Sequence, residues 1–226
     1  MTADAASLRS RLAAEGLGTA LLVAIVVGSG IMGERMAAGN GAIALLANSA
    51  ATGCGLFALI LIFAPVSGAH FNPLVSFVFA LRGALPPRIA AAYAIAQLAG
   101  ALAGVAWAHA MFKLSPWTAS AHARTGPAQR LAEATATFGL VVTILGCARY
   151  GIVALAAAVG AYIAAAYWFT ASTSFANPVV TIARALTPTF SGIRPSDVAA
   201  FVAAQSAGAL IASLFWRGID AERASP

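Results

Sequence analysis

Two short segments carry the polar groups best suited to act on a solute. "SGAHFNPLVSFVFALRG" runs from Ser67 to Gly83, and "TSFANPVVTIARALTP" from Thr173 to Pro188. Each contains an asparagine followed by a proline, Asn72-Pro73 and Asn177-Pro178. Asparagine is a preferred N-cap because its side-chain oxygen accepts from an orphan backbone N–H, and proline suits the first helical position because it has no N–H to orphan. Each pair therefore predicts the start of a helix whose capping amide still has an NH2 to offer an oxygen atom. That is the chemistry of recognising water or a neutral hydroxyl, without making or breaking a bond. No phosphate-binding loop, catalytic triad or metal-ligand constellation accompanies the pairs, so neither an enzyme nor a cofactor or metal site is expected.

The helices that begin there are short. Pro73 to Arg82 spans about ten residues, roughly 15 Å at 1.5 Å per residue, or half of a hydrocarbon core of about 30 Å. Gly83 is placed to end the first, with Pro86 and Pro87 beyond it, and Thr187-Pro188 ends the second after Leu186. Small and polar residues precede both pairs: Ser67-Gly68-Ala69-His70 and Ser172-Thr173-Ser174. They suit a non-helical descent, which at membrane depth is tolerated only beside a water-filled cavity or inside protein.

Everything around these segments implies a membrane. The 226 residues are 61% hydrophobic and only 9% charged, against about 25% charged in soluble domains. Six apolar runs are long enough to span: Leu12 to Met32, Ile43 to Phe63, Ile89 to Phe112, Leu131 to Ala148, Ile152 to Phe169 and Val198 to Phe215. The first has a counterpart in mid-chain and is read as a permanent span rather than a cleaved signal. The net charge of +6 sits between the runs, which fits lipid-facing ends and not a nucleic-acid surface. Cys54 and Cys147 fall in separate spans and are read as small buried apolar residues.

The chain is also written twice. "EGLGTALLVAIVV" from Glu15 resembles "EATATFGLVVTIL" from Glu133, "NPLVSFVFAL" from Asn72 matches "NPVVTIARAL" from Asn177, and "YAIAQLAGAL" from Tyr93 matches "FVAAQSAGAL" from Phe201. Gln97 thereby pairs with Gln205 and Gly100 with Gly208. Each half reads span, span, Asn-Pro segment, span. Three spans per half is an odd number, so the halves cross the membrane in opposite directions as an inverted repeat. The expectation is an all-α membrane protein, one domain over 1–226, with six transmembrane helices plus two re-entrant half-helices, in repeats of about 8–113 and 129–217. The half-helices meet near the midplane with their N-termini together, where the helix dipoles and the amides of Asn72 and Asn177 make a cation-repelling, oxygen-orienting constriction.

Taken together, the paired boxes and the repeat resemble the aquaporin and aquaglyceroporin family over most of the chain, from Glu15 to Leu210. The resemblance implies a passive pore in each subunit of a homotetramer in the lipid bilayer, with small neutral solutes as the only other partners and no nucleic acid. It implies a central constriction of Asn72, Pro73, Leu74, Asn177, Pro178 and Val179, although the family's boxes usually read Asn-Pro-Ala. It also implies that Glu15 and Glu133 accept hydrogen bonds from the descending loops. The mirrored Gln97 and Gln205 are read as tethers of the same loops, and His70 as a residue of the vestibule on the cytoplasmic side.

The residue after the second box is normally arginine in water and glycerol channels, and here it is Val180. Counted without gaps, the family's other filter positions fall on Thr52, Ala165 and Ser174. A filter of Thr, Ala, Ser and Val lacks aromatic and charged groups and is expected to be wide. Arg184, four residues beyond Val180, is read as solvated or headgroup-facing. His109 and His122 are read as interfacial. The segment "AYWFTASTSFANPVVTIAR" is similar to bacterial channels associated with arsenic resistance. That likeness implies arsenite, antimonite and glycerol-sized solutes, with or without water. A water-selective channel and a proton-coupled secondary transporter remain alternatives. Basic residues suggest an inner-membrane orientation with both termini cytoplasmic by seven (Arg9, Arg11, Arg82, Arg88, Arg149, Arg217, Arg223) against six (Arg35, Lys113, Arg124, Arg130, Arg184, Arg194).

Overall fold

A computed structural model describes residues 6–224. The side chain of Arg223, counted above among the basic residues, lies outside the described residues. The helices are α1 (Leu8–Met36), α2 (Gly41–Ser67), α3 (Pro73–Leu81), α4 (Pro87–Met111), α5 (Pro127–Cys147), α6 (Ile152–Phe169), α7 (Pro178–Arg184) and α8 (Pro195–Ala224). Six of them are long and apolar enough to cross a membrane. The other two, α3 and α7, have 9 and 7 residues.

Helices α1, α2 and α8 overrun their apolar runs at both ends, whereas α6 matches its run; in α1 and α2 caps, not hydropathy, set the ends. Ser7 starts α1 by accepting from the Ser10 N–H at 3.1 Å, and Asn40 starts α2 by accepting from Ala42 and Ile43. Gly68 closes α2 with φ of +92°, a left-handed value that costs glycine little. At the other extreme, α7 stops short of Leu186. Ala185 and Leu186 donate to Ile182 and Ala183 in a tightened turn, and the Arg184 carbonyl accepts from Ile193 instead.

Packing repeats with the sequence. Helix α1 lies against α4 and α2, and α5 lies against α8 and α6 in the same relation. In lipid such contacts depend on small residues that let backbones approach. A Cβ at Gly100 would overlap the Gly16 carbonyl, and one at Gly208 would overlap the carbonyl of Ala134. Helices α2 and α6 join the halves where Gly53 and Gly160 face each other. An added Cβ at either would come within 2.8 or 2.6 Å of the other's carbonyl oxygen.

A test follows on a single helix. Gly208→Ala is expected to lower unfolding stability in detergent by about 1–3 kcal/mol through overpacking. Gly218→Ala, where a Cβ meets nothing within 4 Å, is expected to be neutral or to stabilise by up to about 1 kcal/mol. Equal midpoints for the two variants would show that the α5–α8 contact is not set by this glycine.

Both cysteines depart from expectation: Cys54 is exposed and Cys147 only partly covered. They lie on outward helix faces, a rotation that apolar composition alone does not specify. His109 also differs. It is fully buried, with Nδ1 2.7 Å from the Ser115 carbonyl and Nε2 2.8 Å from the Thr187 hydroxyl, so it fastens the α4–α5 connection rather than facing an interface. His122 is exposed.

Candidate functional site

Non-helical segments lead from α2 to α3 and from α6 to α7, and each is held by one buried carboxylate. Glu15, on α1, accepts from the backbone N–H groups of His70 at 2.9 Å and Phe71 at 2.7 Å, from the Ser67 hydroxyl at 2.6 Å and from Gln97 Nε2 at 2.8 Å. Glu133, on α5, accepts from Phe175 at 2.9 Å, Ala176 at 3.0 Å and Gln205 Nε2 at 2.6 Å. Both glutamates and both glutamines are fully buried. The glutamines also donate to the hydroxyls of Ser76 and Thr181, which in turn donate to the carbonyls of Asn72 and Asn177. A buried backbone donor without an acceptor is costly, so these networks are what allow irregular chain at this depth.

The loops share their strain as well as their partners. Ala69 and Ser174, then Phe71 and Ala176, adopt left-handed φ values of +51°, +50°, +48° and +49°. Non-glycine residues held there cost about 1–3 kcal/mol each and persist only where the surroundings impose them. Here they turn the Phe71 and Ala176 carbonyls toward the opposite half. Asn72 Nδ2 donates to Ala176 at 2.7 Å and Asn177 Nδ2 donates to Phe71 at 2.8 Å. Each asparagine oxygen meanwhile caps its own helix, at Leu74 from Asn72 and at Val179 and Val180 from Asn177. One amide hydrogen of each pair thus stitches the halves together, and the other is left for the lumen.

A cavity of about 100 Å3 runs past this junction. Apolar side chains of Leu22, Val26, Leu56, Ile60, Leu140 and Val159 line it. Polar side chains of His70, Asn72, Asn177, Ser174, Thr52 and Tyr167 line it as well. The Thr52 and Tyr167 hydroxyls are 3.2 Å apart, and the Ser174 hydroxyl has no protein partner. Such a lining offers an uncharged solute hydrogen bonds at intervals, with hydrocarbon between them. An ion would find too few dipoles to replace its water.

The family model described as major intrinsic protein matches residues 2–150. An aquaglyceroporin, AqpS, from Rhizobium meliloti (strain 1021) is 58% identical over 210 residues, 93% of this chain and 90% of that protein. The chain belongs to the major intrinsic protein family. It is a multi-pass membrane channel for small solutes, not an enzyme. A probable aquaporin PIP2-8 from Oryza sativa subsp. japonica is 41% identical over 107 residues, covering 46% of this chain and 37% of its own length. The crystal structure of the aquaglyceroporin from Plasmodium falciparum shares the fold, with a TM-score of 0.74 over 93% of this chain and 96% of that one at 20% identity.

Not every expected filter residue faces this channel's cavity. Thr52, Ser174 and Val180 line it and are 2%, 3% and 5% exposed. Ala165 does not: it is exposed on the outer side of α6, and Tyr167, two residues on, takes the wall. Two residues turn an α-helix by about 200°, so a gapless count that misjudges the loop before Asn177 selects the wrong face. Nor is the cavity free of aromatic or charged groups, since Tyr167, Phe175 and Arg184 all line it. Arg184 turns inward to the cavity, away from headgroups and bulk solvent. It is 1% exposed, its Nε donates to the Ser191 carbonyl, and its guanidinium lies 3.3 Å from the centroid of the Phe175 ring.

Arg124 also went unmarked in the sequence. From the loop before α5 it donates to the carbonyls of Gly192 at 2.8 Å and Ser172 at 3.0 Å, strapping that loop over the descent to α7. Burial pushes its guanidinium down to about 10, which leaves it charged at neutral pH. Only the mirrored Ser76 and Thr181 carried a signal, since they align in the two Asn-Pro segments.

Proposed function

We propose that this channel passively conducts small uncharged hydroxyl-bearing solutes, glycerol-sized polyols and the trihydroxides of arsenic and antimony, with water accompanying them. In this reading it is a single domain of two inverted repeats and works as a homotetramer in the inner membrane with both termini cytoplasmic. Asn72, Pro73, Leu74, Asn177, Pro178 and Val179 form its central constriction. Thr52, Tyr167, Ser174 and Val180 bound the outer filter, and His70 the vestibule on the side of the termini. Glu15, Glu133, Gln97 and Gln205 hold the loops.

The observation that carries the reading is Val180. It sits on the cavity wall at the position where water and glycerol channels of the family present arginine, and a short apolar side chain leaves the lumen open there. The 58% identical relative bears the name aquaglyceroporin, which supports a solute larger than water. A trihydroxide presents hydroxyls much as a polyol does, so the lining residues Thr52, Tyr167 and Ser174 suit both. Proton coupling has less support because the oxygens of both intramembrane carboxylates are taken up by the loops.

Val180→Arg is the test. The new side chain would narrow the lumen and add donors to the wall. Glycerol and arsenite flux are expected to fall about tenfold or more relative to water, a barrier change of about 1.4 kcal/mol. Water, glycerol, urea and arsenite permeabilities are measured in the same vesicles for both proteins. A parent that passes water and none of the larger solutes would favour the water-selective reading, for which the rings of Tyr167 and Phe175 are the structural argument.

A further inference from the structure

Arg184 is the most deeply buried permanent charge in the pore wall, and no role follows for it from the Asn-Pro constriction. Among the described residues it has no ion pair. Its Nε is bound to the Ser191 carbonyl, while neither Nη atom has a protein hydrogen bond or is sealed from accessible space. The space open to them is the cavity that Arg184 lines. Ser174 lines the same cavity, and its hydroxyl is covered and has no partner.

The repeat shows that this placement is not incidental. Phe175 and Arg184 occupy the positions that His70 and Phe79 hold in the first half. His70 and Phe79 also stack, with ring centroids 4.8 Å apart, and line the same cavity. Each mouth is therefore bordered by a stacked pair at matching positions, one from the descending loop and one from the half-helix. On the α7 side the half-helix member carries a permanent charge. A second guanidinium, that of Arg124, lies 5.0 Å from the Phe175 ring centroid on the same side.

We propose that Arg184 is the specificity-determining residue of the outer constriction. It lies one helical turn, about 6 Å, beyond Val180, so the narrow charged point moves outward. Between it and the asparagine pair a chamber opens, walled by Val180, Thr52 and Tyr167. Its unpaired Nη donors, with the Ser174 hydroxyl once that side chain turns to the lumen, make a two-point station for the oxygens of a passing solute. Its charge, reinforced by Arg124, repels cations at the mouth. That the oxygens belong to polyols or trihydroxides rests on the function proposed above; the cation barrier does not.

Three variants separate these roles in proteoliposomes: Arg184→Gln, which keeps donors without charge, Arg184→Lys, which keeps charge without the fork, and Ser174→Ala. Water and glycerol fluxes are measured beside potassium and proton leak under an imposed potential, with unfolding midpoints as the control for folding. Arg184→Gln is expected to raise cation leak about tenfold or more. Arg184→Lys is expected to keep cations out while shifting the glycerol-to-water ratio severalfold, and Ser174→Ala to lower glycerol flux with cation exclusion intact. A merely structural Arg184, strapping the Ser191 turn, would move the midpoint and none of the ratios, and that result overturns the proposal. So does a folded Arg184→Gln as tight to cations as the parent. If Arg184→Gln does not fold, an unchanged ratio in Arg184→Lys overturns it equally. A parent that excludes glycerol would refute the polyol reading alone, and the leak of Arg184→Gln would still decide the barrier.

Discussion

Alanine at Glu133 is expected to abolish selective flux and to destabilise the protein by about 3 kcal/mol or more. Three buried donors, the N–H groups of Phe175 and Ala176 and the Nε2 of Gln205, would lose their acceptor at once. Each unsatisfied buried group costs about 1–3 kcal/mol. The loop that releases them is the one in which Ser174 and Ala176 are held at left-handed φ. Without the carboxylate nothing compels that conformation, so the Ala176 carbonyl should swing away from Asn72 and the junction should open. Glu15→Ala is expected to do the same to the loop before α3. Glu34→Ala, at an exposed glutamate, should stay within about 0.5 kcal/mol of the parent. Unfolding midpoints in detergent and solute flux in vesicles measure both consequences; a Glu133→Ala protein with parental midpoint and selectivity would show that the loop stands without its acceptor.

The glutamates were readable in the sequence for the same reason that they matter. They recur at matching positions of the two halves, and an intramembrane acid that recurs with the repeat is tied to what the repeat builds. The Asn-Pro pairs were readable because capping is local: the cap, the proline and the short apolar run that follows lie within about ten residues. What the sequence concealed depends on rotation and on tertiary contact. Whether Ala165 or Tyr167 meets the lumen turns on how residues 170–176 coil between α6 and Asn177, and no local pattern encodes a run of left-handed residues without glycine. Arg184 was hidden differently. An arginine near the end of an apolar helix has the same local pattern whether it snorkels to headgroups or turns inward, and only the fold brings Phe175 and the Ser191 carbonyl to it. Its mirror position, Phe79, gave no hint of charge because the two mouths share geometry and not chemistry.

Aspartate at Asn177 should cost the channel its ion exclusion while leaving the helix cap in place. The asparagine oxygen already caps Val179 and Val180, and a carboxylate oxygen does that at least as well beside a helix N-terminus. The amide nitrogen is the group that cannot be replaced. It donates to the Phe71 carbonyl at 2.8 Å, and in Asn177→Asp a second oxygen would face that carbonyl with no hydrogen between them. Losing the bond and gaining the repulsion is expected to cost about 1–3 kcal/mol at the junction of the halves. It would also set a negative charge where the two half-helices meet, favouring the cations that the dipoles otherwise repel. Asn72→Asp removes the matching bond to Ala176 and is expected to behave alike, the double variant more severely. Asn177→Ala is the comparison that isolates charge, since it loses cap and crossing bond together, at about 1 kcal/mol for the cap, yet adds no carboxylate. Potassium leak under an imposed potential should therefore rise in Asn177→Asp and not in Asn177→Ala, while glycerol flux falls in both. Equal leak in the two folded variants would mean that the midplane asparagines do not govern which charges cross.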